Sequence, residues 1–112
     1  MKNTWALIGA ALILSIVLTL SHALLRAAAA YPQLELAWIL RVGAALFLYG
    51  SVFLAYTVLL KYFDISIFYP IYTALSIVGV SLVGIAYFGE TFSLNKILGM
   101  LLLLAGIGLI SR

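Results

Sequence analysis

Four polar side chains, Ser15, Thr19, His22 and Arg26, recur at spacings of four, three and four within an otherwise apolar run. That spacing puts them on one face of an α-helix. A stripe of this kind facing acyl chains is costly, so it is expected to face a neighbouring helix or an aqueous cavity. Histidine is the side-chain type that changes charge near neutrality, and His22 could carry a proton through a transport cycle; the plainer alternative is a histidine hydrogen-bonded near a helix end. A second stripe follows, with Arg41, Tyr49 and Tyr56 close to one face and Ala45 between them. The third comprises Tyr69, Thr73 and Ser76. Each tyrosine alone is an ordinary packing residue with a satisfied hydroxyl. Three stripes together point to a shared, substrate-binding cavity. Gly79 and Gly84 continue the third segment, and as hinge residues they would lower the cost of bending it and of alternating access between two sides. Their other reading is close helix packing.

Arg26 and Arg41 fall near one membrane surface with Glu35 between them. Guanidinium groups there can snorkel and grip phosphate oxygens in a bidentate way, which suits recognition of a lipid phosphate as well as simple anchoring. No stretch carries paired carboxylates, a phosphate-binding loop, a zinc-ligand spacing or an activated nucleophile. No catalytic residue, cofactor or metal is therefore expected, and the chain is not read as an enzyme. There are no cysteines, which leaves the redox compartment open. The net charge of +3 comes from scattered residues and makes no nucleic-acid patch.

The elements that must position these stripes follow from composition. Hydrophobic residues make up 67% of the chain and charged residues 8%, with a mean hydropathy of +1.30, more apolar surface than a water-soluble domain could cover. The charges divide the sequence into uncharged runs at 3–25, 42–60, 65–89 and 97–111. A hydrocarbon core of roughly 30 Å takes about 20 helical residues, and lipid offers backbone groups no partners outside a helix or a closed barrel. The runs lack the polar alternation of barrel strands. The expected fold is all-α: a single transmembrane domain over 1–112, with helices at about 5–25, 36–60, 65–88 and 94–110. Tyr31-Pro32-Gln33, residues 61–64 and Gly89-Glu90-Thr91 mark the short connections. Trp5, Tyr31 and Trp38 fall at expected helix ends, where amphipathic rings anchor to the headgroup layer. The first run is longer than a signal-peptide core and its arginine follows it, so it is read as a membrane span.

With four spans, Lys2, Lys61 and Arg112 share one side, and Arg26, Arg41 and Lys96 the other. Such a balance gives no clear orientation by the positive-inside rule, so insertion in both orientations stands beside a fixed topology set near the first helix. A four-helix bundle fills its own centre with side chains, and transport would therefore require an oligomer. Gly99 and Gly106, seven apart on the last helix with Gly108 beyond, are the candidate dimer interface, because small residues let backbones approach closely.

The segment GETFSLNKILGMLLLLAGIGLIS at 89–111 resembles the ending of the repeat in the drug/metabolite transporter superfamily, a short Gly-Glu turn followed by a glycine-bearing helix. Upstream, Phe68-Tyr69-Pro70-Ile71 looks like the opening of the third helix in its four-helix members. One branch, the small multidrug resistance proteins, exchanges protons for cationic drugs through a glutamate in the first helix. Here the corresponding stretch is Leu14-Ser15-Ile16-Val17-Leu18, and the first helix holds no acidic residue. The other branch, the small subunits that flip polyprenyl-phosphate-linked sugars such as aminoarabinose, lacks that glutamate; Ser21-His22 with Arg26, and Tyr69-Pro70, resemble its pattern. The resemblance implies a transporter of the cytoplasmic (inner) membrane working as a dimer, antiparallel by analogy. It would be a homodimer or a heterodimer with a paralogue, and its partners would be membrane lipid and an amphiphilic or lipid-linked substrate. Export of small cations without the usual glutamate, and a non-transporting partner subunit, are the alternatives.

Overall fold

A computed structural model describes residues 4–110 of the chain. Lys2, Ser111 and Arg112 lie outside the described residues, so the charge balance between the two sides is seen only in part. Four helices follow one another: α1 (Thr4–Ala28), α2 (Leu36–Leu59), α3 (Ile65–Ala86) and α4 (Leu94–Ile110). The all-α, four-helix architecture expected from the uncharged runs is what the chain adopts. α1 continues past Arg26 to Ala28 rather than ending at residue 25; alanine favours helix, and an arginine at the headgroup level does not interrupt one. α2 ends one residue sooner than expected and α3 two residues sooner.

Each of α1, α2 and α3 is long and apolar enough to cross a membrane. α4 has 17 residues, the lower bound of the spanning range. Helical backbone satisfies most of its polar groups internally, as lipid demands. Hydroxyls follow the same rule: Ser51 and Thr57 on α2 donate to the carbonyls of Phe47 and Phe53, one turn back. Pro70 lies inside α3 and has no N–H to offer the carbonyl of Ser66.

α1 is the central element. It packs against both α2 and α3, whereas α4 packs on α3 alone. The result is a flattened layer in the order α2, α1, α3, α4, with dimensions of 48 × 36 × 16 Å. The core lies where the three larger helices meet: Ala11, Leu14 and Leu18 from α1, Val52 from α2, and Phe68, Ile71 and Tyr72 from α3. Around Phe68 the rings cluster, stacked with Phe63 at 5.6 Å and Tyr56 at 5.9 Å and tilted against Tyr72 at 5.5 Å between centroids, within the range of favourable aromatic pairs. Two close approaches set the helix spacing. Ser21, fully buried, donates to the carbonyl of Ala45 across the α1–α2 contact at 2.8 Å. On the other side of α1, a Cβ placed on Gly79 would come within 2.5 Å of Thr19 Oγ1, so α3 reaches α1 there only because residue 79 has no side chain.

None of the residues of α4 is buried, and α2 keeps Leu46, Phe47, Phe53 and Leu54 exposed. In a soluble protein these faces would be aggregation surfaces. Here lipid or another membrane helix is their solvent.

Candidate functional site

The three polar stripes meet in part. His22 from α1, Tyr49 from α2, and Tyr69, Tyr72, Thr73, Ser76 and Ser81 from α3 line one cavity of about 320 Å³, closed on its apolar side by Leu18, Ile77 and Val80. The His22 ring stands edge-on to Tyr49 at 5.8 Å. Tyr69 and Tyr72 meet edge-on at 5.7 Å. Tyr49 and Tyr69 are respectively 44% and 50% exposed, so the cavity is a groove that opens sideways towards lipid. No lining residue is acidic. Such a surface offers ring faces and hydroxyls to a ligand and no fixed negative charge.

A second, smaller cavity of about 90 Å³ continues towards the C-terminal ends of α1 and α3, lined by Thr19, His22, Arg26, Val80, Gly84, Phe88 and Glu90 among others. His22 and Val80 border both spaces and form the partition between them. From Tyr69 to Gly84 the two cavities follow α3 for about 22 Å at 1.5 Å per residue, a large part of a hydrocarbon core of roughly 30 Å.

The outer end of the smaller cavity is built by a turn. Gly89 takes a left-handed φ of 67°, open to glycine at no steric cost. The N–H of Glu90 then donates to the carbonyl of Gly84 at 3.0 Å. This folds the Glu90 carboxylate over Gly84, into space that a Cβ there would occupy. From that position Glu90 Oε2 accepts from Arg26 Nε at 3.2 Å, and the guanidinium lies over the Phe88 ring at 5.1 Å. The pair ties the end of α1 to the turn after α3, so both ends lie at one side of the layer. Glu90 reads in the sequence as a loop residue with no assigned partner; its pairing with Arg26 depends on a long-range contact that spacing does not encode.

Other stripe residues lie elsewhere. Ser15 is buried and donates to the carbonyl of Leu12 at 2.8 Å. With Thr19, Leu75 and Gly79 it borders an apolar lateral cavity of about 390 Å³ between α1 and α3. Thr19 also reaches the smaller cavity. Tyr56 stands behind the groove wall, 5.2 Å from Tyr72 and 6.2 Å from Tyr69. Arg41 sits near the start of α2, with its Nη1 donating to the carbonyl of Ala37 at 3.1 Å and its guanidinium 4.5 Å from the Tyr31 ring centroid. Of the two candidate hinge glycines, Gly79 faces Thr19 and Gly84 faces Glu90, and α3 runs unbroken through both. Gly99 and Gly106 on α4 have nothing within 4 Å of a would-be Cβ.

Tyr72 and Ser81 are absent from the stripes yet line the groove. Tyr72 lies three residues after Tyr69 and four before Ser76, so the same helical spacing that selects its neighbours would have included it. Ser76 lines the groove while its hydroxyl donates to the carbonyl of Tyr72 at 2.7 Å.

Comparison with curated proteins and with solved structures finds no match. The family model described as Small Multidrug Resistance protein does match, over residues 3–103, which takes in α1, α2, α3 and the first part of α4. A match of that extent, on a chain of four apolar helices of which three line a polar groove, makes this integral membrane protein a member of the small multidrug resistance family and a small transporter of that type.

Proposed function

We propose that the chain moves an amphiphile across the bilayer, with the polar headgroup travelling in the groove between α1, α2 and α3 while the apolar part stays in lipid. The substrate class that fits is a sugar joined through phosphate to a long isoprenoid chain. One observation carries this reading: the groove is lined by His22, Tyr49, Tyr69, Tyr72, Thr73 and Ser76, open towards lipid, and free of carboxylates. Rings stack on sugar faces and hydroxyls exchange hydrogen bonds with sugar hydroxyls, whereas an ammonium-bearing drug would find no counter-ion in the groove itself. A second chain would cover the open side, which is why the transporting unit is read as a dimer, with a copy of itself or a paralogue as the partner.

The second reading is export of a small organic cation. It is favoured by the same tyrosine faces, which attract cations, and by Glu90 at the border of the smaller cavity. Purified protein in phosphatidylcholine vesicles separates the two. With a fluorescently labelled polyprenyl-phosphate hexose, the wild type should expose inner-leaflet label to an external quencher, and Tyr69→Ala and His22→Ala should slow that exposure. Equal rates in all proteins and in protein-free vesicles would overturn the headgroup reading. Proton-driven uptake of a cationic dye, without lipid-sugar flipping, would replace it with the cation reading.

A further inference from the structure

The guanidinium of Arg26 is held on two sides. Its Nε donates to Glu90 and its plane lies over Phe88, while no acceptor among the described residues meets Nη1 or Nη2. The other cations at this side are committed differently. Arg41 spends Nη1 on the Ala37 carbonyl, and Lys96 Nζ donates to the Thr91 carbonyl at 2.6 Å. Arg26 alone of the three combines a fixed guanidinium plane with an uncommitted Nη1–Nη2 edge, at the outer end of the two aligned cavities.

We propose that this edge of Arg26 is the binding site for the phosphate oxyanion of the amphiphile, and that Glu90 is the positioning residue that aims it. A planar guanidinium presents its Nε side and its terminal edge in different directions, so one carboxylate and one phosphate bind it together without competing for the same hydrogens. The terminal edge matches two phosphate oxygens in a fork. Glu90 has two opposing effects on such a ligand. It fixes the plane, aided by Gly84, whose missing side chain gives the carboxylate its place. Its negative charge also weakens the hold on a second anion, which suits a carrier that must release what it binds. A phosphate seated here lies beyond His22, and a sugar attached to it points past the partition into the tyrosine groove. The site rests on the headgroup reading for the identity of the amphiphile, though not for the binding of phosphate itself.

Binding, measured apart from transport, tests it. The full-length protein is purified in a neutral detergent, titrated with dioleoyl phosphatidic acid or with dioleoyl phosphatidylcholine, and the bound lipid is counted by native mass spectrometry. Wild type should take phosphatidic acid in preference to phosphatidylcholine. Arg26→Lys keeps the charge and loses the fork, and should bind phosphatidic acid about tenfold more weakly. Glu90→Gln keeps an oxygen to accept from Nε and loses the charge, and should bind it more tightly. Arg41→Lys should leave binding unchanged. Excess inorganic phosphate should displace the lipid if the oxyanion alone is read; persistence of the lipid would assign part of the site to its chains. Simple headgroup anchoring predicts equal binding by wild type and Arg26→Lys, and that result overturns the proposal, as does weaker binding by Glu90→Gln in a protein that elutes and folds as the wild type does. If this binding pattern holds while lipid-sugar flipping fails, the headgroup reading falls and the oxyanion site stands. Flipping without the binding pattern has the opposite meaning.

Discussion

Substituting Gly79 tests the closest approach in the fold. In Gly79→Ala the new methyl would stand 2.5 Å from Thr19 Oγ1, with Thr19 Cβ and Cγ2 each at 3.5 Å. Only the hydroxyl collides; the two carbons are at ordinary contact distance. Rotation of the threonine is restricted within a helix, so relief requires α1 and α3 to separate or Thr19 to leave its rotamer. Overpacking of this kind costs about 1–3 kcal/mol, against which alanine contributes up to about 1 kcal/mol of helix propensity over glycine. The net loss expected for Gly79→Ala is therefore about 0–2 kcal/mol, small enough to be misread on its own. The pair of substitutions isolates the clash. Thr19→Ala removes the colliding atom, so Gly79→Ala in that background should stabilise by its helix propensity, and the cycle should give a coupling of about 1–3 kcal/mol. Reversible unfolding in mixed detergent micelles, followed by far-ultraviolet circular dichroism, supplies the four free energies. A coupling indistinguishable from zero would refute the contact between α1 and α3 at this level, and with it the adjoining partition formed by His22 and Val80.

Three further outcomes follow from the same structure and are read by the same unfolding assay. Ser21→Ala removes the donor to the Ala45 carbonyl and should cost about 1 kcal/mol; no loss would mean that α1 and α2 are not joined through this bond. Phe68→Ala empties the centre of the aromatic cluster, where Phe68 is fully buried, and should cost about 3–5 kcal/mol, more than truncation of the exposed Phe47. Leu34, in the α1–α2 connection, has a φ of 69° and is largely exposed; Leu34→Gly should stabilise by about 1 kcal/mol through relief of left-handed strain, and destabilisation would contradict that backbone conformation.

The architecture was legible because charge and hydropathy act locally. Arg26, Arg41, Lys61 and Asp64 bracket the apolar runs, and in lipid an apolar run of spanning length has only the helix available to it. His22, Tyr49, Tyr69, Thr73 and Ser76 were legible as a group for a related reason: helical spacing sets which side chains share a face, and three polar faces in lipid tend to find one another. Packing order was not legible. Spacing does not tell that α1 is central and α4 peripheral, and so it does not tell that Ser15 turns towards an apolar lateral cavity or that Tyr56 stands behind the groove wall. Nor does it pair Arg26 with Glu90, 64 positions apart. That contact depends on the left-handed turn at Gly89 and on the space left by Gly84, features whose meaning appears only when α3 lies beside α1.

The absence of an acid from the first helix acquires a structural counterpart in this arrangement. Where the resemblance to the multidrug branch would place a carboxylate within the helix, the chain has Leu14-Ser15-Ile16-Val17-Leu18, and the one polar side chain there, Ser15, has its hydroxyl satisfied by its own helix at Leu12. Among the described residues, the only carboxylate bordering the two aligned cavities is Glu90, and it stands at their outer end, already paired with Arg26. A cation moving through the groove would leave that counter-ion behind and would carry its charge past rings and hydroxyls alone. On the proposed reading, a phosphate-bearing headgroup would meet the reverse order, a guanidinium at the outer end and then an acid-free, hydroxylated passage for the sugar. On the proposed reading, with charge at the rim and hydrogen-bonding capacity in the middle, the groove would discriminate by the order in which a headgroup's parts are arranged. That asymmetry is why Arg26 and Tyr69 should fail in different assays, the first in lipid binding and the second in movement.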